Sequence, residues 1–334
     1  MNEILPLSPA ATHYKDRSTG LTLFGVATVL LGGLCALMIP LMLFGQVMAG
    51  KTTGIPPNFQ TMILAAGMYG GMAVLMVWLG IGSMLARRWA RALLLIFAGT
   101  GLLMGLMSFV LVAFLLPQIT KNMRLMQPPG QPALPENMVV FMVGFGMLIA
   151  GVIYVVLPGI WTLFYRSPHV KATCEARDPV ERWTDRCPIP VLTISVWLAI
   201  SVPMVLLMPL AFHGMVPFFG VFLSGVPGSL IYVAFAAVMA YCAWAVYRLD
   251  PKGWWVTLIS FTLLLVSGVI SYLQNDLMEM YRQMGFPEQQ AEQMQQIAAV
   301  SRPIMIIWSL FIEALLVGSL LYVKKHFWPA RPKP

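Results

Sequence analysis

Six stretches of this chain run for more than twenty residues without a single Asp, Glu, Lys or Arg: Ser18 to Gly50, Thr52 to Ala86, Ala92 to Thr120, Asn137 to Tyr165, Cys187 to Tyr247 and Gly253 to Asn275. Another, Pro303 to Val323, is interrupted by Glu313 alone. A hydrocarbon core of about 30 Å is crossed by roughly 20 helical residues rising ~1.5 Å each. The stretch from Cys187 to Tyr247 is too long for one crossing. Its Gly214-Met215-Val216-Pro217 and Gly225-Val226-Pro227-Gly228 runs mark a turn between two. Eight crossings follow. They lack period-two alternation and exceed the ~10 residues of a barrel strand, so they read as helices.

Composition agrees with lipid as the main solvent. Of 334 residues, 59% are hydrophobic and 10% charged, whereas soluble domains carry about 25% charged residues to keep a wet surface. The net charge of +8 does not point to nucleic acid, because no basic, aromatic-studded reader motif accompanies it. The basic residues instead gather at span ends. Sixteen lie on one side of the expected path, from Lys15 and Arg17 through Arg87, Arg88 and Arg91 to Lys324 and Lys325, against five on the other, Lys51, Lys121, Arg124, Arg282 and Arg302. The positive-inside rule then places both termini and the central connector in the cytoplasm. A cleaved signal peptide is not expected, since a mostly polar start containing Glu3 and Asp16 precedes an apolar run too long for a signal core.

The second half of the chain repeats features of the first in the same order. Pro40-Leu41 with Gly45 matches Pro209-Leu210 with Gly214, 169 residues later. Arg87-Arg88-Trp89 and Lys252-Gly253-Trp254 are both short basic turns with tryptophan. Gly105, Ser108 and Phe109 match Gly268, Ser271 and Tyr272, and Ile119, Met123 and Met126 match Leu277, Tyr281 and Met284, each an amphipathic stripe. Each match is weak by itself, and the shared order carries the argument. Four spans per copy keep both copies in one orientation, as in parallel-repeat transporters. Small residues at spacing four, Gly67 with Gly71 and Gly101 with Gly105, would permit close helix approach.

Glu313 is the sharpest candidate for chemistry. A charged carboxylate within a span costs about 2.5 to 3.5 kcal/mol on insertion scales, so it must be protonated, paired or facing water. By the repeat, Tyr154 is its counterpart, five residues before Gly159 as Glu313 is five before Gly318. A neutral glutamic acid bonded to a neighbouring helix for packing alone is the competing reading. His213, near the outer end of the fifth span, is a further binding candidate, weighed against an ordinary interfacial histidine. With so little intramembrane polarity, a largely apolar solute or a proton fits better than a sugar or an ion.

The connector holds His169, Cys174, Asp185 and Cys187, all of types that ligate zinc. Structural zinc sites usually carry closely spaced cysteine pairs, and twelve residues separate these two. A plain connector held by alternating Arg and acidic residues is the alternative. In a reducing compartment the two cysteines should be thiols or ligands and not a disulfide, while Cys35 and Cys242 read as packing residues. Methionine is abundant, at 25 residues, and Met278-Glu279-Met280 with Met284 could offer copper(I) soft donors. The apolar face of a surface helix explains them as well. No zincin histidine pair, phosphate loop or nucleophile elbow is present, so no enzyme and no cofactor beyond the connector metal is expected.

The sequence therefore predicts an all-α integral membrane protein with eight transmembrane helices as two parallel four-helix repeats, plus short amphipathic interfacial helices. Residues 1–20 form a cytoplasmic segment, 21–165 the first repeat, 166–188 the cytoplasmic linker, 189–323 the second repeat and 324–334 a basic cytoplasmic tail. The expected setting is a bacterial inner membrane. Two functional classes remain open. In one, a small apolar solute or a proton is bound or moved between the repeats, with Glu313, Tyr154 and His213 as contacts. In the other, the chain is a structural or accessory subunit, with membrane lipids around it and protein partners at the outer amphipathic helices or the inner linker.

Overall fold

Length and apolarity dictate helices, and the computed structural model, which describes residues 14–53, 59–125, 136–274 and 288–328, is built of them. In chain order they are α1 (Ser18–Thr53), α2 (Phe59–Met84), α3 (Arg88–Leu125), α4 (Glu136–Gly151), α5 (Leu157–Arg166), α6 (Pro168–Arg177), α7 (Ile189–Ala211), α8 (Gly225–Tyr247), α9 (Pro251–Gln274) and α10 (Glu288–Phe327). Among the described residues, eight helical segments have the length and hydropathy to cross a membrane: Ser18–Met48, Met62–Met84, Arg88–Phe114, Met138–Arg166, Ile189–Ala211, Gly225–Tyr247, Pro251–Ser271 and Ile306–Phe327. These match the eight crossings expected, and the protein is a polytopic membrane protein. The amphipathic stripes at 119–126 and 277–284 fall largely outside the residues whose side chains are described, as do Met278, Met280 and Met284.

The chain forms two compact units, residues 1–37 with 71–186, and 38–70 with 187–334. In the first unit, helix backbones meet at glycines. A Cβ on Gly25 of α1 would lie 2.7 Å from the carbonyl oxygen of Gly80 on α2, and one on Gly80 would lie 2.7 Å from that of Gly25. The unit is locked by a buried polar knot, in which the Ser83 hydroxyl donates to the Leu21 carbonyl (3.0 Å) and pairs with the Tyr165 hydroxyl (2.6 Å). Trp161 donates to Thr28 (3.2 Å), and Phe24 stacks on Phe164 with centroids 4.1 Å apart. Of the two glycine pairs singled out in the sequence, Gly101 and Gly105 pack against Pro158 and Tyr154, whereas Gly67 and Gly71 have nothing within 4 Å of where a Cβ would stand.

Between α4 and α5 the fourth span widens into a π-helical turn, Val152–Val156. Its cause is two residues further on. Pro158 has no backbone N–H to give the carbonyl four residues back, which belongs to Tyr154, so the regular ladder cannot continue there.

In the second unit, α7 and α8 are joined by a small element that apolar periodicity did not announce, a β-hairpin pairing Val216–Phe218 (β1) with Val221–Leu223 (β2). Phe219 (φ 46°) and Gly220 (φ 85°) form its two-residue turn, the positive-φ pair that suits strand twist. Its tip is tied to α9, since the Phe219 N–H donates to Ser267 (2.9 Å) and the Gly220 N–H to Ser271 (3.0 Å). Ser195 of α7 donates to the Ala243 carbonyl of α8 (2.7 Å). Trp254, 2% exposed, donates from its indole to the Leu320 carbonyl of α10 (2.8 Å).

The turns after α2 and after α8 share one hydrogen-bond pattern. After α2, the Arg87 N–H reaches the Gly82 carbonyl and the Ala86 N–H the Ser83 carbonyl, both at 2.9 Å. After α8, the Asp250 N–H reaches Ala245 and the Leu249 N–H reaches Val246, both at 3.0 Å. Ala86 (φ 51°) and Leu249 (φ 59°) take the left-handed conformation, which completes a Schellman cap in each case. The helix that follows then returns at close quarters. A Cβ on Gly82 would meet Ala90, and one on Gly253 would meet Ala245.

Candidate functional site

Glu313 lies on α10 within the span Ile306–Phe327. Its Oε1 accepts a hydrogen bond from the hydroxyl of Thr262 (3.1 Å), near the middle of the span Pro251–Ser271 on α9. Glu313 is half-buried and Thr262 exposed on the protein surface. Both partners thus fall within helices of membrane-spanning length, and the carboxyl group keeps acceptor capacity beyond the bond it receives from Thr262. Thr262 carried no signal in the sequence, because a threonine in a membrane helix normally bonds its own helix four residues back.

Tyr154 lies in the π-helical turn of the fourth span. Its side chain is 59% exposed, while its carbonyl, which has no N–H four residues on to accept from because that residue is Pro158, faces the missing Cβ of Gly105. Tyr154 and Glu313 belong to different compact units. His213 is exposed and left-handed (φ 53°) in the turn after α7, and its carbonyl accepts from the Gly225 N–H (3.0 Å). Its backbone closes the turn that leads into and out of the hairpin.

The segment between the fifth and fourth spans folds as α6 and a 3-10 turn, Trp183–Asp185. Asp178, 2% exposed, is its centre. Arg182 reaches both carboxylate oxygens, Nη2 to Oδ1 at 2.9 Å and Nε to Oδ2 at 3.3 Å. Arg87 stands 3.7 Å away and the Arg88 N–H donates at 3.4 Å. The hydrogen bonds from Arg182, with these charges, hold the Asp178 carboxyl below the usual carboxylate range. Arg88 also pairs with Asp185 (3.2 Å) and Glu175 (3.6 Å). Asp16 caps α1 through the Ser18 N–H (2.9 Å) and meets Arg177 (3.5 Å).

The residues proposed as metal ligands are distributed within this scaffold. His169 accepts from the Lys15 N–H through Nδ1 (3.4 Å), and Asp185 accepts from the Arg182 N–H (2.9 Å). Cys174 and Cys187 are buried, 1% and 4% exposed, and burial pushes each thiol up to about 11. Both are therefore protonated at neutral pH, and a metal would have to displace those protons. Among the described residues, no group of three or more His, Cys, Asp and Glu side chains converges as a metal ion requires. All four cysteines are free thiols.

A groove of about 380 Å3 opens between α7 and α10, walled by Pro190 and Thr193 on one side and by Ala314, Gly318, Ser319 and Tyr322 on the other. Glu313 does not line it. No protein-family model, curated protein or solved structure matches the chain.

Proposed function

We propose that this protein is a non-catalytic membrane protein built from two parallel four-helix repeats, and that it binds or carries a proton or a small, largely apolar solute at Glu313. The repeat reading rests on the two Schellman turns, which fall 163 residues apart, the same offset that relates Gly105 to Gly268. The termini and the connector lie in the cytoplasm in this reading, which rests on the lysine and arginine bias alone.

The single observation behind the site is the Thr262–Glu313 bond at intramembrane depth. An uncompensated charge within a span is costly, so a carboxyl there needs a partner, and a proton or the polar atom of a solute can serve as one. The neutral acid can donate to a polar atom on an otherwise apolar solute, while Thr262 holds the other oxygen in place. A second reading uses the same bond differently. In a structural or accessory subunit, Thr262 and Glu313 would join α9 to α10 and do nothing else.

Reaction with a hydrophobic carbodiimide, which modifies protonated carboxylic acids reached through lipid, separates the two when combined with proton flux in liposomes. The site reading expects labelling at Glu313, and loss of flux in Glu313→Gln. A Gln side chain still accepts from Thr262, so a merely structural bond predicts that Glu313→Gln behaves as wild type. Absent labelling at every pH, together with unchanged flux, would remove Glu313 from any mechanism.

A further inference from the structure

The groove between α7 and α10 is independent of the Glu313 reading, because the two features occupy opposite faces of one helix. Glu313 bonds to α9, whereas Ala314, Gly318 and Tyr322, at spacings of four, face α7. Continuing that face by three residues reaches Lys325, whose ammonium group lies 5.3 Å over the Tyr322 ring. Lys325 is exposed. Its neighbour Lys324 points elsewhere, over the rings of Trp254 (5.7 Å) and Trp328 (5.9 Å).

The wall on α10 from Ala314 to Val323 is about 13 Å long at helical rise. Its surface is largely apolar. Thr193, the polar residue facing it from α7, directs its hydroxyl to the Ile189 carbonyl (2.8 Å). The groove opens sideways into what is lipid in a membrane, and Gly318 has no atom within 4 Å of where a Cβ would stand, so the slot has room for a chain. At its end, near Pro190 in the first turn of α7 and Tyr322 on α10, the same helical face carries a cation, Lys325.

We infer that this groove is a binding site for an anionic phospholipid, with an acyl chain along Ala314 and Gly318 and the phosphate drawn to Lys325. Charge complementarity selects this occupant over a zwitterionic lipid. A basic residue near a membrane surface contributes about 1 kcal/mol to binding an anionic lipid, which is roughly a fivefold preference.

Native mass spectrometry of the full chain, equilibrated with equal amounts of phosphatidylglycerol and phosphatidylcholine, tests the site. Wild type should retain phosphatidylglycerol preferentially. Lys325→Gln should lower that preference about fivefold, Lys324→Gln should leave it unchanged, and Gly318→Leu, which fills the slot, should reduce retention of phosphatidylglycerol. Equal retention of the two lipids by wild type, or equal losses in the Lys324 and Lys325 variants, would overturn the assignment. Lys325→Gln is a surface change, so the test stands even if Gly318→Leu alters folding.

Discussion

The carbonyl oxygen of Tyr154 approaches Gly105 so closely that a Cβ at position 105 would overlap it. Pro158 removes the N–H that this carbonyl would otherwise accept, and a glycine on the neighbouring helix supplies the space, with a weak Cα–H contact in exchange. The π-helical turn Val152–Val156 is therefore shaped by one residue on its own helix and accommodated by another on α3.

Gly105→Ala should consequently lower stability by about 1 to 3 kcal/mol, the range for overpacking a closed contact. Gly67→Ala and Gly71→Ala, whose Cβ positions are open, should lose nothing. Thermal unfolding of the three variants in one detergent provides the comparison. A Gly105→Ala protein as stable as the Gly67→Ala protein would mean that the helices do not meet here.

Ala86 and Leu249 both hold a left-handed backbone that a Cβ strains, and they differ in what the side chain buries, since Ala86 is a 1% exposed methyl and Leu249 a half-buried larger chain. Glycine adopts that conformation freely, so Ala86→Gly, which gives up one buried methyl, should raise stability by up to about 1 kcal/mol. Leu249→Gly gives up more apolar surface and should gain less than Ala86→Gly. A clear loss in Ala86→Gly would mean that the buried methyl outweighs the backbone strain at this turn.

The eight spans were legible because a bilayer imposes length and apolarity on any helix that crosses it, and those two properties are written locally in the chain. The contacts between helices were not. Gly25 and Gly80 are unremarkable in separate spans, and their meeting depends on which faces α1 and α2 present. The hairpin escaped because each strand has three residues, too few for alternation to register, although the glycines and prolines around it marked a turn. In the connector, the alternation of arginine and acid was visible, but the partners of Asp178 and Asp185 include Arg87 and Arg88, which are distant in sequence. Glu313 stood out as the lone charge in its span, while Thr262 could be found only from the geometry.

The Ser83 hydroxyl gives its proton to the Leu21 carbonyl, so the hydroxyl of Tyr165 must donate in the bond between them. Tyr165→Phe removes one donor and should cost about 1 kcal/mol, whereas Ser83→Ala strands the Tyr165 hydroxyl and takes the second bond from the Leu21 carbonyl, which keeps its place in the α1 ladder, and should cost about 1 to 3 kcal/mol. Because the residues share one network, the double variant should be less damaging than the sum. Strict additivity in a double-mutant cycle would show that the two hydroxyls act separately.

Asp178 gives the connector a pH dependence of defined sign. Its carboxyl is held below the unfolded value of 3.8, so the ion pairs contribute fully above that pH and are lost as pH falls through the lower, folded value. At neutral pH, Asp178→Asn removes the charge facing Arg182 and Arg87 and should destabilise the protein by about 1 to 3 kcal/mol. On acidification the wild type should lose this advantage and converge on the variant, which has no carboxylate to protonate at this position. Thermal midpoints of both proteins from neutral pH down to about pH 3 report the difference directly. A gap that stays constant throughout would mean that Asp178 acts through shape and hydrogen bonding, with its charge contributing nothing.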